Sequence, residues 1–121
     1  MTSCLVVDDS SVIRKVARRI LEDFDIVVSE AEDGAEAWDH CRRTMPDVIL
    51  LDWTLPSVDG IEFVKRLRGS DGGTHPKVVF CTSENDVVFM ARALRAGADD
   101  FLLKPFDKEI FEAKLQDVGL I

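Results

Sequence analysis

"VILLDWTLPSVDG", residues 48–60, decides the fold. Val48, Ile49, Leu50 and Leu51 are apolar without a break. A strand with one wet face alternates apolar and polar residues, whereas an unbroken aliphatic run fits a strand buried on both faces. The run then ends on a charge, Asp52, followed by Trp53, Thr54, Leu55 and Pro56. A carboxylate at the end of a doubly buried strand is costly to desolvate and asks for a use.

Four more short apolar runs repeat the pattern: "CLVV" (4–7), "DIVVSE" (25–30), "KVVFCT" (77–82) and "DDFLL" (99–103). Segments of helical period lie between them. Ile13, Val16, Ala17, Ile20 and Leu21 follow i, i+3, i+4, i+7, i+8 spacing. Ala37, Trp38 and Cys41 mark a second stripe, and Ile61, Val64 and Leu67 a third. Val87, Met90, Ala91 and Leu94 mark a fourth, which leaves Val88 and Phe89 pointing partly outward. Ile110, Phe111, Lys114, Leu115 and Val118 suggest a shorter fifth. Asp9 or Ser10 can cap the first helix and Asp33 the second, and Gly97 follows the fourth as a terminal glycine would. Strands alternating with helices imply a parallel sheet covered on both sides. Right-handed crossovers leave few topologies. The expected fold is α/β, a (βα)5 flavodoxin-like doubly wound parallel sheet of strand order 2-1-3-4-5.

At 121 residues the chain suits one domain, expected to span residues 1–121 without an output domain. The composition, 46% hydrophobic and 31% charged, is that of a globular protein with its own core. No apolar run nears the roughly 18 residues of a membrane span, and residues 1–11 have no signal-peptide pattern. A cytoplasmic location is expected. A formal net charge of −8 argues against nucleic acid as a partner of the whole domain. Cys4, Cys41 and Cys81 match no zinc spacing and read as buried reduced thiols. His40 and His75 stand apart from any partner at ligand spacing.

The polar residues gather where the strands end. The first strand runs into Asp8 and Asp9, the third into Asp52, the fourth into Thr82 and Ser83, and the fifth into Lys104 and Pro105. Ligands of an open α/β sheet bind outside the carboxyl ends of the strands, where the strand order reverses. In the expected order that place lies between the first and third strands, the two that carry carboxylates. Carboxylates ~4 Å apart at an effective dielectric of ~20 repel by about 4 kcal/mol per pair, so a cation or a proton must join them. An all-oxygen site suits Mg²⁺. With Lys104 and the Thr82 hydroxyl beside it, such a site could hold a phosphoryl group, with Asp52 as nucleophile. Singly, each residue has a plainer reading as a cap, a solvated lysine or a strand threonine. Their meeting at one sheet edge shifts the weight.

"LVVDDS" (5–10), "DVILLDWTLPSVDG" (47–60), "VVFCTS" (78–83) and "AGADDFLLKPF" (96–106), in this order, resemble the receiver domains of two-component response regulators, of the CheY-like single-domain type. The resemblance covers the whole chain. It implies that Asp52 is phosphorylated by a histidine kinase or a histidine phosphotransfer protein, and that the chain then signals by protein contact. It implies that Asp9 holds Mg²⁺ with help from Asp8, Asp52 and the backbone carbonyl of Thr54. It further implies that Thr82 and Lys104 contact the phosphoryl group and that Pro105 follows a cis bond. Phe101 stands where the family has a switching aromatic, here without a hydroxyl. Thr54 and Glu84 are expected to line the path of attacking water and to set the lifetime.

Two surfaces are open to two readings each. Arg14, Lys15, Arg18 and Arg19 form either a solvated face or a docking site for the phosphoryl donor. Val88 and Phe89 serve either the core or a downstream protein target on the face of helix four, strand five and helix five. The chain is expected to be a monomer, with a dimer as the alternative. Three competing functions are weaker. A flavodoxin-like cofactor site is disfavoured by the acidic "DDSS" (8–11), and an aspartate phosphatase by Thr54 where a second Asp would stand. A receiver that works without phosphorylation is disfavoured by the intact Asp9, Asp52, Thr82 and Lys104.

Overall fold

A computed structural model describes residues 2–52, 60–83 and 86–121. The elements alternate: β1 (Ser3–Val7), α1 (Ser11–Glu22), β2 (Val27–Ala31), α2 (Gly34–Arg43), β3 (Val48–Asp52), α3 (Gly60–Arg68), β4 (Lys77–Thr82), α4 (Val87–Ala96), β5 (Asp100–Leu103) and α5 (Lys108–Asp117). The sheet is parallel, with order β2-β1-β3-β4-β5. This is the (βα)5 architecture expected from the alternating runs. No helix among the described residues is long and apolar enough to cross a membrane.

The unbroken aliphatic runs now have a cause. Successive strand residues point to opposite faces. Leu5, Val7, Ile49, Leu51, Val78 and Phe80 enter one core, where Ala37 and Cys41 of α2, Ile61, Val64 and Leu67 of α3, and Ala93 of α4 cover them. Cys4, Val6, Val48, Leu50, Val79, Cys81 and Leu102 enter a second core under Ala17, Ile20 and Leu21 of α1 and Phe111 and Leu115 of α5. All three cysteines are buried and free. Burial pushes the Cys4 and Cys81 thiols up to about 12 and Cys41 up to about 11, so they act as small apolar fillers.

The ends of the helices are set by polar side chains. Ser10, and not Asp9, caps α1, its oxygen accepting from Ile13 N at 3.3 Å. Asp33, Asp86 and Asp107 cap α2, α4 and α5. The second strand starts at Val27, later than the expected residue 25, because Asp25 sits at φ 59 in the turn that leaves α1. Left-handed backbone cannot continue a strand, and Asp is among the few side chains that tolerate it.

The expected burial of α4 is corrected. Val87 is 73% and Leu94 50% exposed, and Ala91 is exposed too. The inward stripe is instead Phe89, Met90 and Ala93, about one residue or 100° around the helix. Phe89 meets the Phe80 ring edge to face at 5.7 Å. A phenyl ring buries more apolar area than a valine, so the face carrying Phe89 wins. Phe89 therefore packs inward, while Val88 is 71% exposed as expected.

Two polar clusters secure the fold away from the carboxyl edge. Gly97 ends α4 at φ 118. Its carbonyl accepts from Arg68 Nε and Nη2 at 3.0 and 2.8 Å, and Arg68 also reaches the carbonyls of Gly73 and Pro76 and the Asp99 carboxylate. At the amino edge of the sheet, Asp47 accepts from Ser3 N at 2.8 Å and lies 2.7 Å from His75 Nε2. The His75 and Ser3 hydrogen bonds hold the Asp47 carboxyl below its ordinary range.

Two stability measurements follow. A Cβ at Gly97 would stand 2.7 Å from Arg68 Cγ on left-handed backbone. Gly97→Ala should cost about 1–2 kcal/mol in urea unfolding without changing the slope, and an unchanged midpoint would show that the turn relaxes freely. For Asp47 the native pKa lies below the unfolded one, so its contribution is complete above the unfolded pKa and is lost as pH falls through the native value. Asp47→Asn should therefore lower the urea midpoint at about pH 7, with the deficit shrinking as pH falls below the ordinary Asp value of about 3.9.

Candidate functional site: an acidic cluster at the carboxyl edge

The strands deliver their last side chains to one place. Asp8 follows β1 and still donates its N–H to Ala31 O at 3.1 Å, so it leaves the sheet in register. Asp52 is the last residue of β3, paired with Cys81 of β4. Thr82 closes β4, and its carbonyl accepts from Lys104 N at 2.7 Å, which carries the β5 pairing one residue further. The Lys104–Pro105 peptide is cis. Asp8, Asp52 and Thr82 are buried, with relative exposures of 3, 5 and 4%.

Carboxylate oxygens of Asp8, Asp9 and Asp52 lie within 4.8 Å of one another. Asp9 is the exposed member and forms the mouth. Lys104 spans the other two, its Nζ 2.9 Å from Asp8 Oδ2 and 3.3 Å from Asp52 Oδ1. Burial alone would lower the Lys104 pKa. The hydrogen bond to Asp8 and the charges of Asp52 and Asp8 outweigh it and hold the ammonium above its ordinary value. Among the described residues, Lys104 thus pairs with two of the three carboxylates of the cluster. Asp8 Oδ1 also accepts from Ser10 N at 2.9 Å. The donors are hard oxygens, close together and open on one side, which fits Mg²⁺ and its preference for carboxylates plus water.

The residues expected at the site divide as follows. Asp8, Asp9, Asp52, Thr82 and Lys104 share one sheet edge. Thr54, Glu84, Trp53 and Pro56 lie outside the described residues. Phe101 is half-buried on β5 and stacks on Phe80, with centroids 6.3 Å apart and planes 24° from parallel. Cys81 is the apolar neighbour of Asp52, its raised pKa keeping the thiol protonated beside the acids.

The basic patch on α1 is partly tied into the fold. Arg14 Nε and Arg18 Nε bind the two oxygens of Glu30 at 2.9 and 2.8 Å. Arg14 Nη1 also donates to Asp8 O at 2.7 Å. Two of the four cations are thus engaged by Glu30 on β2, while Lys15 and Arg19 remain exposed. The arginine contacts drag the Glu30 pKa below its ordinary value despite the opposing effect of its burial. The sequence carries half of this signal: Arg14 and Arg18 share one helix face at i, i+4, while Glu30 lies next to the end of β2.

Comparison with known proteins places this arrangement. Residues 4–116 match the family described as the response regulator receiver domain. The chain is 37% identical to the chemotaxis protein CheY of Halobacterium salinarum over 114 residues, 94% of this chain and 93% of that protein. It is 36% identical to the phosphate regulon transcriptional regulatory protein PhoB of Escherichia coli, over 94% of this chain and 50% of that protein. The solved structure of the chemotaxis response regulator CheY4 of Vibrio cholerae superposes with a TM-score of 0.92 at 33% identity, covering 98% of both chains.

Crowded carboxylates are held together against their repulsion. Asp9→Asn should raise the thermal midpoint of the metal-free protein by a few degrees, and added Mg²⁺ should remove or reverse the difference. A lower midpoint without metal would mean that Asp9 is tied into the fold by contacts stronger than the repulsion.

Proposed function

This chain belongs to the response regulator receiver domain family and is a phosphorylation-dependent switch of two-component signalling; from that premise we propose that Asp52 is its phosphoacceptor, with Mg²⁺ as cofactor. The observation that carries the assignment is Lys104 Nζ, set between Asp8 and Asp52 beside the third carboxylate. Asp52 ends the central strand β3, with a carboxylate oxygen within 4.8 Å of one on the exposed Asp9.

Asp8, Asp9 and Asp52 would hold the metal, together with the Thr54 carbonyl that the family pattern implies. When bound, Mg²⁺ supplies positive charge to the phosphoryl oxygens and relieves the repulsion among the acids. An Asp52 oxygen attacks the phosphorus of a phosphohistidine on a histidine kinase or phosphotransfer protein. The new P–O bond forms as the P–N bond breaks, and the imidazole leaves with a proton from water. Lys104 neutralises one phosphoryl oxygen and the Thr82 hydroxyl donates to another. Water later attacks phosphorus, the Asp52–phosphate bond breaks, and the carboxylate returns. Thr54 and Glu84 would set the rate of that step. The domain promotes both transfers upon itself, as a switch and not as a metabolic enzyme.

Phosphorylation adds about −1.5 to −2 charge at Asp52. Drawing the Thr82 hydroxyl toward it pulls on β4, two residues from Phe80, on which Phe101 stacks. Readout to a downstream protein is assigned to the α4–β5–α5 face, where Val88, Leu103 and Ile110 are exposed. Phe89, packed on Phe80, acts behind that face and not on it. The site of action is the cytoplasm.

Incubation with Mg²⁺ and a small acyl phosphate should add the mass of one phosphoryl group. The gain should vanish in Asp52→Asn and without metal. A parent protein that gains nothing, or an Asn variant that gains as much, would overturn the assignment.

A further inference from the structure

Asp8 has two jobs that pull on different atoms. Its carboxylate faces the cluster, accepting from Lys104 Nζ at 2.9 Å and from Ser10 N at 2.9 Å. Its backbone lies just past β1, where the N–H still joins the sheet through Ala31 O. Arg14 Nη1 donates to the Asp8 carbonyl at 2.7 Å. The Arg14 side chain is only 15% exposed, and its Nε is fixed by Glu30 Oε1 at 2.9 Å. Glu30 is itself anchored twice. Its backbone is registered against Val6 of β1, and its second oxygen is held by Arg18.

The Asp8 carbonyl and the Asp9 amide belong to one planar peptide. A bond to the carbonyl therefore fixes the plane from which Asp9 departs, as well as the backbone of Asp8. We propose that Arg14, locked by Glu30, is a positioning residue that sets the Asp8–Asp9 peptide and thereby the spacing of two of the three metal-holding carboxylates. This rests on the reading of the acidic cluster as a Mg²⁺-assisted phosphoryl site. It assigns Arg14 an inward duty, in place of docking a partner. Groups that orient a metal's ligands from behind commonly govern affinity by about 10- to 100-fold.

The sign of the effect separates this role from plain electrostatics. Arg14 is a cation near three acids, so by charge alone its removal should tighten Mg²⁺. As a clamp, its removal should loosen it. Mg²⁺ titrations followed by tryptophan fluorescence, at a temperature where circular dichroism shows each variant folded, read the difference. Arg14→Met should weaken binding about 10-fold and slow phosphorylation by a small acyl phosphate at sub-saturating metal. Arg14→Lys keeps the charge but cannot hold two acceptors with one planar fork, so it too should bind more weakly. Should the methionine variant not fold, the lysine variant carries the test. Lys15→Met, which removes a neighbouring exposed cation, should bind as the parent does or slightly tighter. Unchanged or tighter binding in the Arg14 variants, beside a parent that binds Mg²⁺ and accepts phosphate, would overturn the clamp alone. A parent that does neither would overturn the phosphoryl-site reading beneath it.

Discussion

Like charges crowded at one sheet edge are the constraint on which the rest depends. Carboxylate oxygens of Asp8, Asp9 and Asp52 lie within 4.8 Å of one another, with Lys104 as the cation between two of them. Nothing in a flexible loop would hold them there, because repulsion would spread them apart. The strands can, since two cores fix their registers from opposite sides. The hydrophobic effect thus does work on the electrostatics. Burial of aliphatic faces supplies the free energy that keeps the acids close, and their closeness is what makes the edge attractive to a divalent cation.

The same coupling explains what could be read before any coordinates. Two-sided burial writes itself as consecutive aliphatic residues, so Val48–Leu51 and its counterparts were legible as strands, and the residues after them as one edge. The α4 face was not legible. "VVFMARALRA" (87–96) is apolar around most of its circumference, so two stripes compete, and the packing of Phe89 on the core, Phe80 included, favours one of them. The pairing of Arg14 and Arg18 with Glu30 was hidden for another reason. Charge runs look solvated when each residue is weighed by its own helix, and Glu30 belongs to a strand whose register the sequence does not state. The late start of β2 turned on the single left-handed residue Asp25.

Behind the acids lies a second layer of organisation. Phe80 is the middle ring of three, with Phe89 at its edge and Phe101 across its face. Its strand ends two residues later at Thr82, so the three rings lie directly behind the proposed phosphoryl site. Rings packed this way exchange one arrangement for another and do not deform smoothly, because a core at crystal-like density has no slack. That is a property a switch needs. Lacking a phenolic oxygen, Phe101 has no polar anchor of its own and follows its neighbours' packing.

The division of each strand between two cores also bears on how such a chain can change over generations. Even and odd residues serve different helices, so one inserted residue in a strand would exchange both sets at once and strand every helix against the wrong partners. Substitutions face no such penalty where volume is kept. Lineages built on this sheet are therefore free to drift in letters while their strand lengths stay frozen, and variation in length is driven outward into the loops at the sheet's two ends.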